Sequence, residues 1–328
     1  VSAMAGETNK LVNYIRAISA TCDMKEYDTV VAAGEQVTAG LMALELQKVG
    51  LKARSWLGWQ VPLRTTDAHG KARIKGIGPG PFARSISDGQ VAVLAGFQGL
   101  GLDNRITTLG RGGSDTTAVA LAAALGADRC DIFTDVDGVY TSDPGIVAKA
   151  RKISKITYEE MLEMASLGAK VLQTRSVELA MKYRVKLQVR SSFNDVEGTL
   201  VVDENEILEH ELVSGIAHSR DESKITLIRV ADRPGIAASI FGPLTEANIN
   251  VDMIVQNVSE DGAATDLTFT VNRSDFEYTL DVLGNNKDNL GFERIASDPE
   301  VTKISVVGVG MRSHSGVAQK MFNALAER

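Results

Sequence analysis

Between residues 1 and 200, short apolar runs alternate with segments of helical periodicity; beyond residue 211 a different pattern takes over and recurs. Short strands alternating with helices are the signature of an α/β layer with a mainly parallel sheet. Residues 29–33 are a short apolar run, and residues 35–49 carry Val37, Leu41, Leu44 and Val49 at helical spacing. Residues 90–96 and 131–134 read as strands, 115–125 as an alanine-rich helix, 158–168 and 172–183 as helices, and 185–190 as a closing strand.

An acidic stretch, residues 203–211, reads as a linker. After it, Ile225 and Leu227 alternate as a strand. Arg233-Pro234-Gly235 then opens a helix with Ile236, Ile240 and Leu244 on one face. Ile249, Val251, Met253 and Val255 alternate, as do Leu267, Phe269 and Val271, and Phe276, Leu280 and Leu283 mark a second helix. The order β-α-β-β-α is that of a small ferredoxin-like unit. Its opening recurs: Lys224–Leu227 resembles Lys303–Val306, and Gly235, Ala237, Phe241 and Leu244 return as Gly316, Ala318, Phe322 and Leu325. The second copy stops after its first helix, leaving an apolar face to cover. With Val1 in place of an initiator methionine, both ends of the chain are expected to be cut. The expected domains are 1–203, a linker 204–212, a unit 213–300 and the start of a second unit, 301–328.

Thirty-five basic against forty-two acidic side chains, a net charge of −7, argues against a nucleic-acid-binding protein. With 44% hydrophobic and 23% charged residues the chain has the composition of a folded protein. The longest apolar run, 118–127, is too short to span a bilayer, and no signal segment opens the chain. Cys22 and Cys130 lie far apart outside any CxxC, which fits structural thiols in the cytoplasm. His69, His210, His218 and His314 lie in no metal spacing and read as surface residues, and no metal site is expected.

The strongest motif runs from Thr107 through Gly110, Arg111, Gly112, Gly113, Ser114 and Asp115 to Thr117. Three glycines let backbone N–H groups approach a ligand, a helix N-terminus follows, and Arg111 adds a planar fork suited to a carboxylate or phosphate. The plainer alternative is a tight turn with Ser114 or Asp115 as helix cap. No GxxxxGK[ST] occurs, and Gly76-Ile77-Gly78-Pro79-Gly80-Pro81 ends in a proline unsuited to a dinucleotide fingerprint.

Weaker candidates surround it. Ser2, Ala3 and Thr8 precede or open a helix, where the hydroxyls bind substrate or Thr8 caps. Glu35 stands at another helix start, by its local sequence a dipole-favoured surface glutamate. Phe97 lies at a strand's carboxyl end, where open α/β sheets bind ligands, or in the core. The loop Thr134-Asp135 through Tyr140 to Asp143 could hold a nucleotide or Mg²⁺ or be merely polar; Lys170 could pair with a phosphate or be solvated.

Taken together and in order, Ser-Ala-Met-x-Gly-x-Thr-Asn, Ala-Gly-Glu, Gly-Phe-Gln-Gly, Thr-Thr-Leu-Gly-Arg-Gly-Gly-Ser-Asp, Thr-Asp-Val-Asp-Gly-Val-Tyr-Thr-x-Asp-Pro and Gly-Ala-Lys-Val-Leu resemble aspartate kinases over essentially the whole chain. The resemblance implies an amino-acid-kinase fold followed by ferredoxin-like βαββαβ ACT units, and transfer of a phosphoryl group from ATP, with Mg²⁺, to the β-carboxylate of L-aspartate. It implies that Arg111 holds the α-carboxylate and that Thr8, Glu35 and Phe97 shape the aspartate pocket, with Ser2 and Ala3 beside them. By the same resemblance Gly112, Gly113 and Ser114 line the transfer site, and Asp115 organises its polar groups. Thr134, Asp135, Tyr140, Asp143 and Lys170 meet ATP. In the ACT units, Asp232, Gly235, Ile236, Ala237, Gln256 and Asn257 are expected to bind an amino-acid effector, lysine or threonine, and the region to form a homo-oligomer.

Two departures stand out. The family's N-terminal Lys-Phe-Gly-Gly-Thr-Ser strand and loop is missing from these residues, which implies that the 328-residue chain alone is inactive or nearly so. The family's arginine after Asp-Pro is Gly145 here. Two rival readings are another enzyme of the same fold acting on a different acid, and an amino-acid-sensing ACT protein with an inert kinase portion.

Overall fold

The computed structural model describes residues 1–19, 21–169, 171–207, 212–231, 233–258, 264–313 and 315–327, with backbone alone at 258, 288, 312 and 313. Two compact units emerge: Val1–Ile216 together with Val307–Arg328, and Ala217–Val306.

In the first unit the strands Ala53–Trp56 and Val91–Leu94 pair in parallel, Ala53 opposite Val91. A second sheet has the order Ile74–Ile77, Leu63–Thr65, Gln98–Leu100, Ile106–Thr108, its inner pair parallel and its outer pairs antiparallel. A third orders Cys130–Thr134, Leu187–Ser191, Thr199–Val202 and Lys155–Thr157, with parallel outer pairs around an antiparallel centre. Helices Glu7–Ile18, Met24–Val31, Ala33–Lys48, Gly80–Ser87, Gly113–Leu125, Tyr158–Ser166 and Thr174–Tyr183 complete the α/β layering. The largest core gathers Val119, Ile132, Ile156, Met161, Leu187 and Val189.

Two sequence expectations change here. The apolar run 29–33 is helical: Asp23 caps the helix Met24–Val31 by accepting from the Lys25 amide at 2.8 Å. A run so short carries no period to tell strand from helix, and the cap decides. In helix Ala33–Lys48 the large residues Val37, Leu41 and Leu44 face outward, as does Val49 just beyond its end, while Gly34, Glu35, Ala39 and Ala43 are buried. Small residues let this helix lie close to its neighbours: Ala39 and Ala43 pack on Ala53, Val93 and Ala95.

The second unit is a sheet ordered Val251–Val258, Ala264–Asn272, Gly215–Ala231, Arg294–Val307. Helices Ile236–Glu246 and Phe276–Asn285 add their apolar faces, and Ile225, Leu227, Ile240, Leu244, Phe269 and Leu283 share one core. On the edge strand Met253 and Val255 are exposed, because the pairing shifts register between Asp252 and Val255 and breaks the alternation. Among the described residues no helix is long and apolar enough to cross a membrane.

Candidate active site

Strand Ile106–Thr108 ends directly on the glycine-rich turn, and helix Gly113–Leu125 begins where the turn ends. Gly110 and Gly112 have φ of 77° and 68°, the left-handed region that glycine enters without strain. Close packing adds a second reason for glycine. A Cβ on Gly112 would lie 1.8 Å from Gln173 Cγ, and one on Gly113 would lie 2.7 Å from Phe97 Cδ2. The helix is capped by Gly112 without any side-chain bond, and Ser114 and Asp115 sit inside its first turn. Neither serves as the cap; the Gly113 amide donates to Gly110 O at 3.0 Å, and the amides of Ser114 and Asp115 are the first-turn N–H groups that can meet an anion. Arg111 is exposed, and among the described residues no acceptor holds its guanidinium. Burial pushes the Asp115 carboxyl above its ordinary range.

Glu35 departs from its surface reading. It is 4% exposed, and its Oε1 accepts from the Ala3 amide at 3.1 Å. Oε2 is buried without a partner. Burial raises its pKa, and the Ala3 amide opposes that rise. Val1, just ahead of Ser2 and Ala3, is held beyond the end of strand Val91–Leu94, where the Gly96 amide donates to its carbonyl at 3.0 Å. Gly34 is packed so closely on Ala3 that an added Cβ would come within 2.9 Å of the alanine Cβ. Thr8 lies in the first turn of helix Glu7–Ile18, which Gly6 caps, and caps nothing itself.

Phe97, at φ 68°, joins these pieces to the turn. Its amide donates to Thr117 Oγ1 at 3.1 Å, and its carbonyl accepts from the Leu109 amide at 2.9 Å. Its half-buried ring edges Gly113, while Gly96 presses on Ser114. Ala3, Glu35, Phe97, Gly113 and Ser114 are thus joined through Val1 and Gly96, and Arg111 is exposed on the turn that carries Gly113.

The candidate nucleotide loop follows strand Cys130–Thr134. Thr134 Oγ1 donates to Asp135 Oδ1 at 3.1 Å, and the Tyr140 hydroxyl donates to Asp137 at 2.9 Å. That bond, with Lys152 at 3.4 Å, lowers the Asp137 pKa, and the same bond to the carboxylate raises that of Tyr140. Asp143 folds the next turn by accepting from the Gly145 amide at 2.8 Å. Among the described residues no hydrogen bond joins this loop to the glycine-rich turn. Lys170 lies outside the described residues.

In the second unit Gly235, at φ 86°, opens helix Ile236–Glu246, with Ile236 buried and Ala237 half-buried. Gln256 and Asn257 stand exposed on strand Val251–Val258. Asp232 lies outside the described residues.

Sequence reading missed three polar side chains behind the turn. Asp28 is fully buried, with His69 Nδ1 at 2.7 Å and the Thr108 amide at 3.0 Å. The His69 side chain is only 8% exposed, not a surface residue, because it is matched to that carboxylate. Arg175 donates to the carbonyls of Leu109 and Ala72 at 2.6 and 3.0 Å. Asp28 and Arg175 lie in no motif, and nothing local in the sequence marks them. His218 is half-buried; His210 and His314 lie outside the described residues.

Residues 2–191 match the amino acid kinase family, and residues 224–285 and 304–328 match ACT domains. An aspartate kinase of Stutzerimonas stutzeri is 54% identical over 328 residues, all of this chain and 79% of that protein. An aspartokinase of Pseudomonas aeruginosa is 53% identical over 329 residues, covering 80% of its length. The crystal structure of E. coli aspartokinase III with aspartate and ADP superposes with a TM-score of 0.76 at 28% identity, over 97% of this chain and 72% of that one. The chain belongs to the aspartate kinases of the amino acid kinase family, with ACT domains following the kinase region.

Proposed function

We propose that the turn 110–114, Glu35 and Phe97 form the aspartate pocket of this aspartate kinase, in which the γ-phosphoryl group of ATP passes to the β-carboxylate. One observation carries the reading: a buried carboxylate oxygen with no partner belongs to the same packed group as a glycine turn bearing an unpaired guanidinium. An α-amino acid answers both at once, its ammonium to Glu35 Oε2 and its α-carboxylate to Arg111. Ala3 fixes the Glu35 carboxylate by its amide, and the Phe97 ring walls the pocket against Gly113.

The reaction brings a carboxylate towards a triphosphate, so positive charge and aimed dipoles do most of the work. The acceptor is already deprotonated and needs no strong base. The N–H groups at the start of helix Gly113–Leu125 supply dipoles for the transferring group. Asp115, with its raised pKa, orders the polar groups there. Among the described residues no three acidic, histidine or cysteine side chains gather to hold a metal. Mg²⁺, brought with the nucleotide, would offset charge on the phosphates as the carboxylate approaches. Thr134, Asp135, Tyr140, Asp143 and Lys170 are assigned to the nucleotide.

For the ACT region we assign the amino-acid effector to the Gly235–Ala237 helix start with Gln256 and Asn257; an E. coli aspartokinase III structure is described in complex with lysine and aspartate. Pairing of copies is assigned to the exposed edge bearing Met253, Ile254 and Val255. Two free thiols fit a cytoplasmic enzyme.

Calorimetric titration with L-aspartate, succinate and L-asparagine tests the pocket. Succinate lacks the ammonium and is expected to bind weakly, whereas L-asparagine keeps both α-groups and is expected to retain binding. Equal binding of succinate and aspartate would remove Glu35 from the ammonium role.

A further inference from the structure

Behind the glycine turn sits a polar clamp that none of the substrate-facing residues explains. Helix Met24–Val31 carries Asp28 inward to full burial. Its Oδ1 accepts from Thr108 Oγ1 at 2.5 Å and from the Gly70 amide at 3.0 Å. Its Oδ2 accepts from His69 Nδ1 at 2.7 Å, the Thr108 amide at 3.0 Å and the Gly70 amide at 3.1 Å. A buried carboxylate is tolerated when several donors converge on it, and four do so here.

From the other side Arg175, in helix Thr174–Tyr183, grips the carbonyls of Leu109 and Ala72. The two grips meet on the same pair of segments. The Ala72 amide donates to Thr108 O at 2.9 Å, and a Cβ on Gly110 would lie 2.9 Å from Gly70 O. Residues 69–72 form the bed on which the turn rests; Asp28 binds bed and turn by their N–H groups, and Arg175 binds them by their C=O groups. Thr108 is three residues from Arg111, so a shift of this bed moves the guanidinium directly.

We infer that Asp28, His69 and Arg175 are positioning residues that set the Gly110–Gly113 turn and thereby the affinity for the α-carboxylate of the acceptor. The inference rests on the assignment of that turn to aspartate. None of the three touches substrate. Their effect passes through the placement of Arg111, which binds the ground state and the transition state alike, so it is read in KM rather than kcat. In Asp28→Asn the amide NH₂ takes the place of an oxygen that accepts from the Gly70 N–H whichever way it is turned, and a backbone N–H cannot become an acceptor, so bed and turn are pushed apart.

The test measures kcat, KM for L-aspartate and KM for MgATP in the enzyme that carries these residues together with the N-terminal Lys-Phe-Gly-Gly-Thr-Ser segment, bearing Asp28→Asn, Arg111→Lys and both together. Asp28→Asn is expected to raise KM for aspartate about tenfold, the effect of one unsatisfied buried polar group, with kcat within about threefold and KM for MgATP unchanged. In the Arg111→Lys background the same change is expected to add little, because the group it positions has been replaced. A general loss of structure would lower kcat, raise both KM values and add in full.

If Asp28→Asn does not fold, His69 decides. His69→Leu removes the ring donor and is expected to raise KM for aspartate, whereas His69→Asn, whose side-chain N–H stands in for Nδ1, is expected to restore it. Unchanged aspartate KM in both Asp28→Asn and His69→Leu, with a raised value in Arg111→Lys, overturns this inference and leaves the pocket standing. An unchanged value in Arg111→Lys overturns the pocket itself and this inference with it.

Discussion

Glu35 and Ala3 share a single hydrogen bond, 3.1 Å from the Ala3 amide to Oε1, which leaves the other carboxylate oxygen buried and alone. A half-satisfied buried carboxylate costs stability. Glu35→Gln keeps the oxygen that Ala3 needs and removes the charge. The variant is expected to be more stable at neutral pH by on the order of 1 kcal/mol while losing most of its affinity for L-aspartate. The sign of the pH dependence follows from the raised pKa. Ionising Glu35 is harder in the fold than in the unfolded chain, so its penalty is present above the folded pKa and disappears below the unfolded one. The gain in Glu35→Gln should therefore fade on acidification, and thermal melts across pH 4 to 8 check it. A variant less stable than the parent at every pH would contradict it.

Arg111 is expected to answer separately. Among the described residues its guanidinium has no partner, so removing it orphans no buried group there and is expected to leave the fold intact. A charge-assisted pair contributes about 1.5–3 kcal/mol, so Arg111→Ala should raise KM for L-aspartate roughly 10- to 150-fold. The melting temperature and KM for MgATP should stay near the parent values. Steady-state kinetics with each substrate varied in turn checks this.

Gly112 is held by both conformation and space. At φ 68° a side chain costs about 1 kcal/mol, and the Gln173 side chain occupies the place a Cβ would take. Gly112→Ala is expected to abolish measurable aspartate binding, and Gly112→Ala with Gln173→Gly to regain part of it by removing the clash but not the strain. Full recovery in the double variant would show that the left-handed turn is dispensable.

The turn was legible in the sequence because its chemistry is local: glycines at left-handed positions and an arginine among them need no tertiary context. The apolar faces of Ile236, Ile240 and Leu244, and of Leu267, Phe269 and Val271, were legible for the same reason, since period and burial agree there. Helix Ala33–Lys48 shows where that logic stops. Val37, Leu41 and Leu44 announce a helix but face outward, while the contact surface is written in Gly34, Ala39 and Ala43, residues whose value is their smallness. Glu35 read as a surface residue because burial is a property of the packed neighbours Ala3 and Gly34, not of its own flanks. Asp28 and Arg175 escaped entirely: their partners lie 41 to 103 residues away, and no spacing rule reaches that far.

Gly145 offers a test of the nucleotide loop by gain rather than loss. It is exposed, its φ is not left-handed, and the nearest atom to an added Cβ is Asp143 Oδ1 at 3.1 Å, on an exposed side chain that can give way. A larger residue therefore fits once Asp143 Oδ1, which also accepts from the Gly145 amide, gives by a few tenths of an ångström. Gly145→Arg restores the cation that aspartate kinases usually carry after Asp-Pro. An exposed charge near a phosphate contributes up to about 1 kcal/mol, so KM for MgATP should fall about threefold at low salt and less at high salt. KM for L-aspartate should not move, because no hydrogen bond links this loop to the glycine turn among the described residues. Gly145→Ala serves as the neutral control, with both constants unchanged. If Gly145→Arg alters KM for aspartate and not for MgATP, the triphosphate does not lie along Asp143–Gly145, and the nucleotide assignment of Thr134, Asp135 and Tyr140 falls with it.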